Sequence, residues 1–346
     1  MLVSRLFEKD ERMYSFSVLV ALLVIGGLAL CSFVVLPLQP LTTPLPSLDD
    51  DQRASALRLE AHVRGVASVP HNIEHFAALE DTARYIEATL RGYGAFPISA
   101  VYDAGGQSVR NIEVIFEPAA RGSKVQNSGT LVVGAHYDSA DDSPGAHDNG
   151  TGVAALLELA RDLCRSPEVF TSRLRLVFFV NEEQPYGKTD NMGSLRHARQ
   201  LHASGEHVTG MIALETLGYF SNKPGSQKLP APFKWLYPDR GNFVAFIGLP
   251  GSRAFLARAV RHFRAAHVFP STGTIAPAWI EGADHSDHWA YHHMGVPAIM
   301  ITDTAPYRNP FYHQVWDTPD TVDYESLARI VSGLRAMTRD LACART

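Results

Sequence analysis

The sequence predicts an α/β protein: a three-layer α/β/α sandwich around a mixed, mostly parallel sheet, preceded by one transmembrane helix. Three observations lead there. Short apolar runs rich in β-branched and aromatic residues alternate with segments of helical periodicity along most of the chain. Several runs stop abruptly at a histidine or a carboxylate, as "LRLVFFVNEE" does at Glu182 and Glu183. The stretch from Phe16 to Leu38 carries no charge, and about 20 apolar residues suffice to cross a bilayer.

The elements follow in order. Arg5, Lys9 and Arg12 precede the apolar stretch, and Asp49, Asp50 and Asp51 follow it. The bias of basic residues toward the inner side puts residues 1–15 in the cytoplasm. Residues 16–38 are then a single-pass membrane anchor, and the rest lies outside the cytoplasm, periplasmic or extracellular. No A-x-A cleavage site follows closely, and the run is long for the apolar part of a signal peptide. Cys31 follows the bulky Leu30, a poor lipoprotein match. Residues 39–53 read as a Pro-rich linker, and residues 54–346 as the catalytic domain.

Two helical patterns come first in that domain, over Gln52–Ala67 and Glu74–Tyr93. Strand patterns then appear at "NIEVIFEP", "TLVVGAHYD", "RLRLVFFVN", "VTGMIALET", "NFVAFIG" and "VPAIMIT". Between and after them "NGTGVAALLELARDLCR", "MGSLRHARQLHA", "SRAFLARAVRHFRAA" and "DYESLARIVSGLRAMTRDLA" read as helices.

Composition narrows the function. The chain has 346 residues, 46% hydrophobic and 19% charged, with a net charge of -5. With no long basic run, nucleic acid is not the expected partner. The three cysteines show no metal-binding spacing and leave a Cys164–Cys343 bridge open.

In α/β sheets, ligands bind beyond the carboxyl ends of strands, so the residues there carry the functional reading. His136 and Asp138 alternate at the end of one strand and can face one site. Asp148 and Asn149 precede a helix, where they suit either an N-cap or a displayed carboxylate. Glu182 and Glu183 end the next strand, and Glu215 ends another. Tyr312, His313 and Asp317 sit in the loop before the last helix. Each signal alone also fits a turn, a cap or a solvated loop. Together they form a histidine and carboxylate set without thiolates, which suits zinc, with cobalt or manganese as substitutes.

The motifs "GAHYDS", "GAHDNGTGVAALLELAR", "FVNEE" and "FYHQVWDTPDTVDY", in that order, resemble the two-zinc aminopeptidases. That group of zinc exopeptidases includes secreted bacterial aminopeptidases, plasma glutamate carboxypeptidase and the glutaminyl cyclases. The resemblance runs from about Ala54 to the C-terminus. It implies two Zn2+ ions: His136 and Glu215 on the first, Glu183 and His313 on the second, and Asp148 bridging them. It implies Asp138 supporting His136, Glu182 as general base, and Tyr312 bonded to the tetrahedral intermediate. Many relatives carry aspartate where Glu215 stands, which bears on metal affinity at the first site.

The expected function is a membrane-anchored exopeptidase releasing N-terminal residues from peptides. The alternatives are a glutaminyl cyclase-like aminoacyltransferase, a carboxypeptidase with Arg308 on the substrate carboxylate, and an inactive ectodomain. His288 and His292 form a weaker second metal pair within "DHSDHWAYHH". Asp287 is a pocket or supporting residue, and Phe233, Trp235 and Tyr237 suit an apolar wall. Side-chain preference and oligomeric state stay open at this level.

Overall fold

The computed structural model describes residues 17–20, 22, 26–27, 34–37, 45–118, 129–165, 170–231, 233–235, 237 and 239–343. Helix α1 (Asp50–Val66) starts where Asp49 accepts from the Gln52 amide and Gln52 returns the bond to the Asp49 amide. That reciprocal cap satisfies two end donors at once. Helix α2 (Phe76–Gly92) follows, then the hairpin of β2 (Ile98–Ala104) and β3 (Gln107–Phe116). Strand β4 (Thr130–His136), helix α3 (Thr151–Arg165), strand β5 (Arg173–Phe179), helix α4 (Gly193–Ala203) and strand β6 (Val208–Glu215) continue the alternation. Strand β7 (Val244–Gly248), helix α5 (Arg253–Ala265), strand β8 (Ser271–Ile275), helix α6 (His288–His293), strand β9 (Ala298–Thr302) and helix α7 (Tyr324–Cys343) complete it.

Including the short strand β1 (Val34–Leu36), the sheet order is β1-β8-β7-β9-β6-β4-β5-β3-β2. The centre, β9-β6-β4-β5, is parallel. Around it β3 and the β7–β8 pair run the opposite way. The mixed, mostly parallel sheet is therefore as expected.

Residues on the central strands alternate between two apolar layers. Leu131, Val133, Leu176, Phe178, Ile212 and Leu214 join the core beneath α1, α2, α3, α5 and α7. Val132, Val177, Phe179, Met211 and Ala213 face Leu195, Ala198 and Tyr291 of α4 and α6. Because both faces are covered, these strands read as continuous apolar runs rather than alternating ones.

One polar knot lies inside the first layer. Glu158 of α3 is fully buried. It accepts from Arg58 at 2.7 Å, Arg335 at 3.1 Å and Ser55 at 3.2 Å, which ties α1 and α7 to α3.

Three expectations change. The predicted 16–38 anchor falls largely outside the described residues. Among the described residues no helix is long and apolar enough to cross a membrane. Val34–Leu36 is extended and pairs with Gly273 and Thr274 of β8, so the expected helix does not include these residues. The edge strand β2 and the strand β8, which lies between β7 and the short β1, escaped the sequence reading. β2 is half exposed, and β8 consists of Ser, Thr and Gly before Ile275, so neither has an apolar signature. Cys164 and Cys343 do not pair with each other, so the bridge left open does not form.

Candidate active site at the carboxyl ends of the strands

The parallel strands β4, β5, β6 and β9 end on one side of the sheet, and the chain turns sharply after them. Asn181 and Thr216 take positive φ, 63° and 45°, a left-handed conformation that is costly for a β-branched residue such as Thr216. The turns are held from several sides. The Asp138 carboxylate accepts the amides of Glu182 and Glu183, both at 3.1 Å. Thr216 donates its amide to Asn149 at 3.2 Å, and its hydroxyl meets that of Thr302 at 2.9 Å. Asp317 accepts the amides of His147 at 2.8 Å and Asp148 at 3.2 Å.

The two readings of "HDNG" divide between neighbours. Asn149 is the cap: its side-chain oxygen accepts the Gly152 amide at 3.1 Å, and its amide group donates to the Leu214 carbonyl. Asp148 is thereby free to face the cleft, beside a cis Asp148–Asn149 peptide.

Asp148 stands between two histidines. Its Oδ1 lies 3.3 Å from His136 Nε2, and its Oδ2 lies 3.0 Å from His313 Nε2. Glu215 Oε2 is also 3.3 Å from His136 Nε2, and Glu183 Oε1 is 3.3 Å from His313 Nε2. The result is two half-sites that share one carboxylate. His136, Asp148 and Glu183 each offer a ligand atom within 4.8 Å of the others. His136 is oriented through Nδ1, which donates to the Asp138 carbonyl at 3.0 Å.

Electrostatics give the cluster its character. Burial raises Glu182 well above the usual carboxylate range, and neighbouring carboxylates reinforce it. Burial and then Asp148 push Glu215 up to about 8 against the pull of His136. Burial opposes ionisation of Asp148 too, yet His136 and His313 hold it well below its ordinary value. Burial works against a charged His313, but Asp148 and Glu183 outweigh it and push it up to about 11. Buried carboxylates outnumber the cations the protein supplies, a state relieved by bound metal. The donors are imidazole and carboxylate, the set that zinc takes at catalytic sites.

Tyr312 lines the same cleft of about 310 Å³ as Glu182 and His313, and its ring stacks on His313 at 3.9 Å. The Ser286 hydroxyl donates to Glu215 at 2.8 Å. Asp287 is fully buried behind the cluster, and neither oxygen meets a hydrogen-bond partner among the described residues. Burial pushes it up to about 7.

Other sequence candidates lie elsewhere. Arg308 does not reach the cleft: its guanidinium donates to Gln227 at 2.6 and 2.9 Å and to the Phe243 carbonyl at 2.9 Å. It is buried against the Phe220 and Phe243 rings, and burial lowers it to about 10. His288 and His292 form no metal pair, since each turns to a backbone carbonyl, of Ala283 and Pro250. Phe233 and Tyr237 line a separate small apolar cavity of about 70 Å³, whereas Trp235 is exposed. Ser286 was not singled out by sequence reasoning; its place in "HSDH" was the only signal.

The profile of Peptidase family M28 matches residues 118–338. The chain belongs to peptidase family M28. It is an aminopeptidase-like metallopeptidase. The M28 chain is 38% identical over 311 residues to the Escherichia coli protein described as uncharacterized protein YfbL, covering 86% of this chain and 91% of that one. It is 29% identical over 257 residues to a probable lipoprotein aminopeptidase, LpqL, of Mycobacterium tuberculosis, covering 69% of this chain and 47% of that one. The fold matches the zinc aminopeptidase BSAP of Bacillus subtilis with a TM-score of 0.65 at 14% identity, over 86% of this chain and 97% of that one. Solved glutaminyl cyclases share the fold as well.

Proposed function

We propose that the cluster holds two zinc ions and that the chain is a membrane-anchored aminopeptidase. One observation carries the reading: the two oxygens of Asp148 face two different histidines, each with its own glutamate. Cobalt or manganese suits the same donors. His136 and Glu215 would hold one ion and Glu183 and His313 the other, with Asp148 shared. Zinc bound there would supply a Lewis acid for the scissile carbonyl and for water.

The chain's own residues do the rest. Among the described residues no donor bonds the Glu182 carboxylate, and its raised proton affinity suits a base that takes a proton from water and returns it to the leaving amine. The Tyr312 hydroxyl donates to the carbonyl oxygen as negative charge grows there. The acidic surroundings favour a free α-amine, which directs cleavage to the N-terminus of a peptide. Ser286 supports the reading of Glu215 as a ligand, since it fixes a side chain one methylene longer than aspartate.

Arg308, the cation that would have favoured a carboxypeptidase, is bonded to Gln227 and backbone carbonyls. Both half-sites being complete argues against an inactive ectodomain. An N-terminal glutamine peptide distinguishes hydrolysis from cyclisation. We expect a free-amine peptide to lose its first residue and its N-acetylated form to resist. Cleavage of the acetylated form from its C-terminus, or cyclisation without hydrolysis, would replace this reading with its rivals.

The anchor of this proposal is the uncharged segment read from the sequence, with the metal centre outside the cytoplasm. Recovery of the expressed chain in the membrane fraction is the expected result. A shortened soluble product would show that the segment is cleaved.

A further inference from the structure

Across the mouth of the cleft an ion pair joins two loops. Lys188 Nζ lies 2.7 Å from Asp284 Oδ2 and 5.6 Å from the centre of the Trp289 ring. Lys188 sits in the turn after Glu183, and the amides of Tyr186 and Gly187 both donate to the Glu183 carbonyl at 3.0 Å. Asp284 sits two residues before Ser286, which holds Glu215. Each partner therefore rides on a backbone fixed to one half-site. The side chains are 37% and 12% exposed, more desolvated than an ordinary surface pair.

Lys188 lines the cleft itself, together with Glu182, Glu183, Glu215 and Tyr312. Among the described residues lining it, Lys188 is the permanent cation. An ammonium has three N–H donors, and Asp284 does not use them all. A cation does not suit the place where the substrate's α-amine docks, because like charges repel. It suits the far side of the scissile bond, where the leaving residue lies.

We propose that Lys188 binds a carboxylate carried by the residue after the scissile bond, so that the enzyme prefers dipeptides, with Asp284 competing for the same ammonium. This rests on the aminopeptidase reading and assigns the substrate class for it. The carboxylate has two sources: the C-terminus of a dipeptide, or an acidic side chain at that position.

The test compares kcat/KM for Leu-Gly, Leu-Gly amide and Leu-Glu amide, each divided by that for leucine p-nitroanilide, which carries no carboxylate. Wild-type enzyme should favour Leu-Gly over its amide roughly tenfold, the scale of a hydrogen bond to a charged group. Lys188→Met should bring that ratio to about one, and Lys188→Arg should retain it. Asp284→Asn should raise it, because the internal competitor is gone. A mere clasp between the loops predicts instead that Lys188→Met and Asp284→Asn act alike on every substrate. Preference for Leu-Glu amide over Leu-Gly amide extends the role to acidic side chains, and its absence assigns the terminal carboxylate. A wild-type ratio near one, or a ratio that survives Lys188→Met, overturns the assignment while p-nitroanilide cleavage stands. Failure to cleave the p-nitroanilide at all overturns the aminopeptidase reading and this assignment with it.

Discussion

Two groups of buried carboxylates behave in opposite ways. Glu158 lies among Arg58, Arg161 and Arg335. Burial raises its proton affinity, but the guanidinium groups overcome that and hold it below the usual range. At the strand ends Glu183 and Glu215 are buried and Glu182 half-buried, and no lysine or arginine pairs with them among the described residues. They are pushed up instead. A buried carboxylate matched by arginines belongs to the scaffold. Buried carboxylates with too few protein cations, gathered in an open cleft, mark a place prepared for metal.

This contrast makes removal of charge act oppositely at the two places. Glu182→Gln should lower kcat by about 10²- to 10⁴-fold, the usual worth of a general base, while bound zinc, measured by elemental analysis, stays at the wild-type level. In the metal-free protein the same variant should be no less stable than wild type, since it removes an uncompensated charge. Glu158→Gln should do the reverse. It leaves half-buried guanidinium groups without their buried partner and should cost at most about 3–5 kcal/mol in urea unfolding, with zinc content retained. Equal destabilisation by both variants would erase the distinction.

Acid adds a third test on the scaffold side. His62 sits between the Tyr85 and Tyr93 hydroxyls, at 2.9 and 2.8 Å. Burial holds it down to about 4, against about 6.5 in the unfolded chain. Between those values the unfolded state binds the extra proton, so stability present above pH 6.5 is lost as pH falls toward 4. This single group accounts for about 3 kcal/mol at most. His62→Gln should show a correspondingly shallower loss over that window when unfolding free energies are compared. The smallest effect is expected at Ser286→Ala, which releases Glu215. Zinc affinity of the first half-site should fall about 10- to 100-fold, the range for lost support of a ligand, measured by competition with a chromogenic chelator.

Much of the site was legible because the central strands are buried on both faces. An apolar run such as Leu176–Val180 cannot end in two glutamates without a reason, and His136 and Glu215 end apolar strands in the same way, whereas Asp148 and His313 lie outside strands and stood out only through the motifs around them. Legibility failed where the partner is distant in sequence or the signal is compositional. Glu158 sits in a helix whose periodicity hides it, and Arg58 and Arg335 approach it from helices about 100 and 177 residues away. Arg308 stands close to His313 in sequence yet points to Gln227, a direction that only the folded loop decides. β8 is buried along its length yet built of Ser, Thr and Gly before Ile275, so its composition gives no apolar strand signal. The i, i+4 spacing of His288 and His292 correctly marked a helix but not a ligand pair, because each ring bonds a carbonyl of a different loop.

The central claim is that the strand-end cluster binds two metals and that catalysis depends on them. The most direct test is to strip the protein with a chelator and follow peptide hydrolysis as zinc is returned. The account predicts no activity without metal and a plateau at two equivalents per chain. Full activity in the stripped protein, or a plateau at one equivalent, would contradict it.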